Sequence, residues 1–115
     1  MTATLYGIAN CDTVKKARRF LDERGTGYVF HDYKKAGADA ALLARFVDAF
    51  GWEPVVNRRG TTWRRIDEDT RAGVVDAASA IAVLQANPSA IKRPIIEMDG
   101  RWMIGFDEAS WSTLP

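Results

Sequence analysis

The sequence predicts an α/β fold: a βαβ unit, a helical stretch, then a β-hairpin and a short closing helix. Three observations lead there. An apolar run, an amphipathic stretch and a second extended run follow one another within about thirty residues, which suits two parallel strands joined by a crossover helix. The middle of the chain carries helical spacing of its apolar residues. Near the end, Asp99-Gly100 separates two short apolar runs, the signal of a tight type I′ hairpin turn.

Residues 3–8 are short, apolar and aromatic, and read as a buried strand ending near Gly7. Asn10, Asp12 and Thr13 then offer capping chemistry for a helix. Its apolar stripe is Val14, Ala17, Leu21 and Phe20, with Lys15, Lys16, Arg18 and Arg19 on the wet side. Gly25 ends it, and residues 28–33 follow as a strand with both faces partly covered. Residues 39–50 read as a second helix, with Leu42, Leu43, Phe46, Val47 and Phe50 on one face and Gly51 closing it. The stretch 52–67 has no clear period; a helical turn near Glu53-Pro54 and then a loop through Gly60-Thr61-Thr62 are expected. Residues 67–75 suggest a further short helix, and the alanine-rich 76–86, stopped by Asn87-Pro88, a compact one. Residues 94–98 and 102–106 form the hairpin, and 107–114 begin with an acidic cap before a last helical turn or two. This order is that of a thioredoxin-like mixed sheet, βαβ plus ββα, with a helical insertion over about 37–90 in one domain spanning 1–115.

Composition narrows the function classes. A chain of 115 residues, 47% hydrophobic, supports one core without staples, and low-complexity disorder is excluded. Sixteen Lys and Arg balance fifteen Asp and Glu, so no global field draws the protein to nucleic acid or anionic lipid. One cysteine excludes an intrachain disulfide and a multi-thiolate zinc site, and points to a reducing compartment. The N-terminus lacks a signal-peptide pattern, and no run approaches the roughly 18 apolar residues of a membrane span. The expectation is a small cytoplasmic protein with no membrane, nucleic-acid or metal partner.

Cys11 is the residue of chemical interest. It follows a strand and opens a helix, where unpaired N–H groups and the helix dipole lower a thiol pKa. The competing reading, a small buried hydrophobe, suits many free cysteines but explains poorly a cysteine between Asn10 and Asp12. The fourth position of Cys11-Asp12-Thr13-Val14 holds no second cysteine. An adduct on Cys11 must therefore be resolved by an outside thiol such as glutathione or a glutaredoxin. Arg58-Arg59 and Lys92-Arg93 read in isolation as solvated patches; brought to Cys11 by the fold, their forks hold oxyanions and favour a thiolate. Pro94, opening a strand after Arg93, is a candidate cis proline. His31 reads as a partly buried packing histidine, and Asp67, Glu68 and Asp69 as helix-start charges, not metal ligands. The four tryptophans show no nucleobase-stacking rhythm, and Gly60-Thr61-Thr62 lacks phosphate-loop spacing.

The blocks Thr4-Leu5-Tyr6-Gly7-Ile8 through Cys11, Lys15-Lys16-Ala17-Arg18, Ile91-Lys92-Arg93-Pro94-Ile95-Ile96 and Gly105-Phe106-Asp107-Glu108 together resemble the arsenate reductase (ArsC)/Spx family. His31-Asp32-Tyr33 and Asn57-Arg58-Arg59-Gly60-Thr61-Thr62-Trp63-Arg64 are most similar to its short YffB-like branch. The resemblance covers essentially the whole chain. It implies an ArsC-type thioredoxin-like fold, Cys11 as nucleophile, and Arg93-Pro94 at the cis-proline position. In the family's glutathione-coupled reductases three arginines hold the oxyanion; two positions match here, Arg58 and Arg93, and the third is Gly105. That set implies a thiolate that accepts glutathione, with Asn10, Asp12, Thr13 and Pro94 supporting the site. The co-substrate is then glutathione, and the substrate a small oxyanion or a disulfide. The Spx side of the family implies the alternative, a regulator docking on the RNA polymerase α-subunit, here without a redox switch because Val14 replaces the second cysteine.

Overall fold

The structure, a computed structural model, describes residues 2–115. Along the chain run β1 (Thr2–Gly7), α1 (Asp12–Arg24), β2 (Gly27–Asp32), α2 (Tyr33–Ala36), α3 (Ala40–Phe50), α4 (Trp52–Val55), α5 (Thr61–Arg65), α6 (Glu68–Ala72) and α7 (Ala77–Ala86). A 3₁₀ turn (Pro88–Ala90), β3 (Ile95–Met98), β4 (Arg101–Ile104) and α8 (Glu108–Trp111) complete it. The chain divides into two compact units: residues up to Ala36 with Arg93–Pro115, and Gly37–Lys92.

The first unit is built on a four-stranded sheet of order β2-β1-β3-β4. β1 pairs parallel with β2 and antiparallel with β3, and β3 pairs antiparallel with β4. This is the expected mixed sheet. Its strand alternation sends Ala3, Leu5, Ile96 and Met98 to one core, where they meet Ala17 and Leu21 of α1 and Trp111 and Leu114 at the end of the chain. Each large apolar side chain buried there contributes roughly 1.5–3 kcal/mol relative to exposure. The Trp111 indole Nε1 donates to the Gly105 carbonyl at 3.0 Å, so the buried ring leaves no polar atom stranded. At the hairpin, Asp99 (φ 54°) and Gly100 (φ 78°) both adopt the left-handed region that a type I′ turn requires.

In the second unit α3 packs on α4 and α7, with Leu43, Phe46, Val55, Ala80 and Leu84 buried. An antiparallel bridge joins Val56, in the middle of the unit, to Ile91 near its end, and the Lys92 amide donates to the Val55 carbonyl at 2.8 Å. Asp39 and Asp76 cap α3 and α7, accepting from the amides of Leu42 and Ser79.

Three boundaries differ from the sequence expectation. The loop expected through Gly60-Thr61-Thr62 becomes α5: Gly60 caps it in extended conformation, and buried Trp63 anchors a segment of weak helix propensity. The second strand stops at Asp32, whose Oδ1 accepts from the Lys34 amide at 2.9 Å and turns Tyr33 into a helical start. β4 ends at Ile104 because Gly105 takes φ 72° and leaves the ladder.

Gly7 fixes how α1 sits at the end of β1. A Cβ there would lie 2.8 Å from the Val14 Cγ2, on a β-branched side chain that cannot swing away. Gly7→Ala is expected to cost about 1–3 kcal/mol by overpacking, read as a lowered urea midpoint with the slope unchanged.

Candidate active site

Cys11 occupies the N-cap of α1 itself, in extended conformation at φ −146° and ψ 124°. The capping expected from Asn10, Asp12 and Thr13 therefore falls to the cysteine. Asn10 lies before it and is exposed, while Asp12 is already the first helical residue. The Cys11 carbonyl accepts the Lys15 amide at 2.9 Å, closing the first turn and leaving the side chain beside the open amides. The Val14 and Thr13 amides at this opening bear on the sulfur.

The thiol is half-buried, and burial is the largest single influence, pushing its pKa up. The Val14 amide, the Arg93 guanidinium as donor and as charge, and the Thr13 amide all pull it down, and together they prevail. The Cys11 pKa therefore lies below the ordinary thiol value. Thr13 contributes through its backbone N–H. These groups all belong to the first unit.

Arg93 reaches the sulfur because β3 is pinned beside β1, with Tyr6 opposite Ile95. The Arg93-Pro94 peptide is cis, Pro94 is buried, and its carbonyl accepts the Gly105 amide at 2.8 Å. Gly105, at the third arginine position of the resemblance, is thus tied to the backbone next to Arg93. Arg58 belongs to the second unit, is exposed, and stacks its guanidinium 5.6 Å from the Trp52 ring centre. Its turn is anchored by the Asn57 amide donating to the Ala90 carbonyl at 2.8 Å.

His31 packs between Tyr6 and Tyr33, with ring centres 5.3 and 6.0 Å away, as a partly buried packing histidine should. Tyr33 is the residue that sequence reasoning passes over. Burial pushes its phenol well above the ordinary range, the Tyr6 phenol adds to that, and Arg93 opposes it. The available signal was its place at the C-terminal end of a parallel strand, where α/β sheets gather their ligands. Among the described residues no group of three or more His, Cys, Asp or Glu is arranged to hold a metal, and no helix is long and apolar enough to cross a membrane.

A cis-proline sheet with a cysteine at the opening of its first helix defines the class, and comparison with known proteins gives the family. The ArsC family model matches residues 6–114, and the chain belongs to that family. It is 45% identical to an uncharacterized protein of Haemophilus influenzae, over 94% of each chain. Among solved structures it is similar to a protein called YffB, at TM-score 0.92 and 46% identity over 97% of each chain. It also resembles an arsenate reductase (ArsC) related protein from Brucella melitensis, at TM-score 0.76 and 52% identity over 97% of this chain and 92% of that one. A more distant similarity, 26% identity over 91% of this chain and 77% of the relative, links it to the global transcriptional regulator Spx of Streptococcus mutans.

The alkylation rate of Cys11 by iodoacetamide, followed against pH, is expected to show a midpoint below the roughly 8.5 of a free thiol. Arg93→Ala removes a donor and a charge from the thiolate, so the midpoint rises and the thiolate fraction at neutral pH falls.

Proposed function

We propose that this ArsC-family protein is a monothiol oxidoreductase of the cytoplasm that uses Cys11 as nucleophile and glutathione as co-substrate. The observation that carries the reading is the sulfur at the opening of α1, with Arg93 against it and its pKa drawn down. A thiolate is the attacking species in sulfur exchange, so whatever raises its population at neutral pH speeds the first step.

On a disulfide substrate the steps are two exchanges. The Cys11 thiolate attacks one substrate sulfur; the substrate S–S bond breaks, a mixed disulfide forms on Cys11, and the other half leaves as a thiolate that takes a proton from water. A glutathione thiolate then attacks the substrate sulfur of that adduct and displaces Cys11 as thiolate. The electrons come from glutathione, and no second protein thiol is needed, in keeping with a single cysteine. Arg93 serves as positive charge beside the reacting sulfur and as a fork for a glutathione carboxylate. The resemblance alone assigns Arg58 the second anion-holding role, which Arg58→Ala tests by its own effect on the apparent affinity for glutathione. Gly105 supplies no third guanidinium, so a disulfide is the proposed substrate in preference to arsenate.

Similarity to Spx supports a second reading, a regulator that docks on the RNA polymerase α-subunit. Stable capture of the C-terminal domain of that subunit in a pull-down, with no sulfur exchange, would favour it.

Intact-mass analysis after incubation with oxidised glutathione is expected to show one glutathionyl group on the wild type and none on Cys11→Ser. Arg93→Ala should slow the uptake at pH 7, by up to about tenfold for each unit that the thiol pKa rises. Failure of the wild type to take up the group would end the reductase reading.

A further inference from the structure

The Arg58 side chain is exposed, and no carboxylate answers its charge. Among the described residues the Trp52 ring is its one side-chain partner, with the guanidinium carbon 5.6 Å from the ring centre. That distance lies within the range over which an indole face attracts a cation. A surface guanidinium ordinarily wanders among many rotamers, and an anion that captures it must halt that motion at a cost in affinity. The contact with Trp52 halts part of it beforehand.

Both ends of the contact stand on fixed backbone within the second unit. Trp52, half-buried, opens α4 directly after Gly51. Gly51 takes φ 80°, which turns the chain out of α3, and its amide donates to the Val47 carbonyl at 2.7 Å. Arg58 follows the buried pair Val55 and Val56, and its turn is held on both flanks. The Asn57 amide donates to the Ala90 carbonyl at 2.8 Å, and the Gly60 amide to the Asn57 carbonyl at 3.3 Å. Gly60 sits so close to the Asn57 side chain that a Cβ there would lie 2.8 Å from its Nδ2.

The chemistry of the contact matters as much as its place. An indole face attracts the positive charge and uses up none of the N–H donors of the fork. A carboxylate partner would restrain the side chain too, but it would occupy the donors that an incoming anion needs. We infer that Trp52 is a positioning residue that holds the Arg58 guanidinium ready, with its donors free, to take a carboxylate of glutathione. Trp52 acts through Arg58 and needs no contact with the co-substrate itself. This inference rests on the reading of Arg58 as an anion holder in the proposed reaction.

The test is the glutathione dependence of turnover with 2-hydroxyethyl disulfide, measured for Trp52→Leu, Trp52→Phe, Arg58→Ala and the Trp52→Leu, Arg58→Ala double variant. Trp52→Leu is expected to raise KM for glutathione about two- to fivefold, as the loss of an exposed cation–π contact should, with kcat unchanged. Trp52→Phe, which keeps a smaller aromatic face, should fall between it and the wild type. In the Arg58→Ala background the Trp52 substitution should change KM no further. If Arg58→Ala raises KM and Trp52→Leu does not, the inference is overturned. It is equally overturned if the Trp52→Leu effect persists undiminished without Arg58, the mark of a ring that merely packs. If Arg58→Ala leaves KM in place, the reading of Arg58 fails and takes the inference with it. Should Trp52→Leu not fold, Trp52→Phe decides: KM raised only where Arg58 is present sustains the inference, and KM unmoved overturns it.

Discussion

A half-buried sulfur whose pKa is nonetheless drawn below the ordinary thiol value sets the terms for this protein. Burial alone would hold the proton on. What opposes it is a convergence of weak partners: two amides at the start of a helix and one guanidinium from a distant part of the chain, which together draw the pKa down. None of these is a strong interaction by itself. Each must be held in place by structure that has no chemistry of its own, and most of the first unit can be understood as that support.

β1 is the centre of the support. It pairs on one side with the strand that leads to Tyr33 and on the other with the strand that follows Arg93, and it ends where Cys11 begins α1. The absence of a side chain at Gly7 lets Val14 close on the strand, which sets the height at which the helix presents its open amides. The core beneath, from Leu5 and Ile96 to Trp111, makes these placements rigid. A close-packed interior transmits small shifts with little loss, so a site made of dipoles needs such a base.

Much of this was legible in the chain. The β1–α1–β2 unit, the Asp99-Gly100 hairpin and the acidic caps followed from spacing and turn chemistry, which are local properties. The special place of Cys11 was legible for the same reason, since a strand end and a helix start flank it within a few residues. That Arg93 serves the same sulfur is a non-local fact. Spacing made Lys92-Arg93 one of two candidate basic pairs that read in isolation as solvated patches, and the family resemblance singled out Arg93. Tyr33 was hidden more deeply. It reads as the last residue of a strand with both faces partly covered, and its full burial comes only from tertiary packing. The helix at Thr61–Arg65 escaped because its threonines favour turns, and Trp63 overrides them only once it is buried.

Gly105 leaves the site open to change. Its backbone is locked to Pro94 in the left-handed region, yet a Cβ added there would meet nothing within 4 Å. A Cβ installed at that point encounters no collision, only the conformational penalty of that backbone, roughly 1–2 kcal/mol. A side chain can thus be added beside the Arg93-Pro94 backbone in one substitution without rebuilding the hairpin.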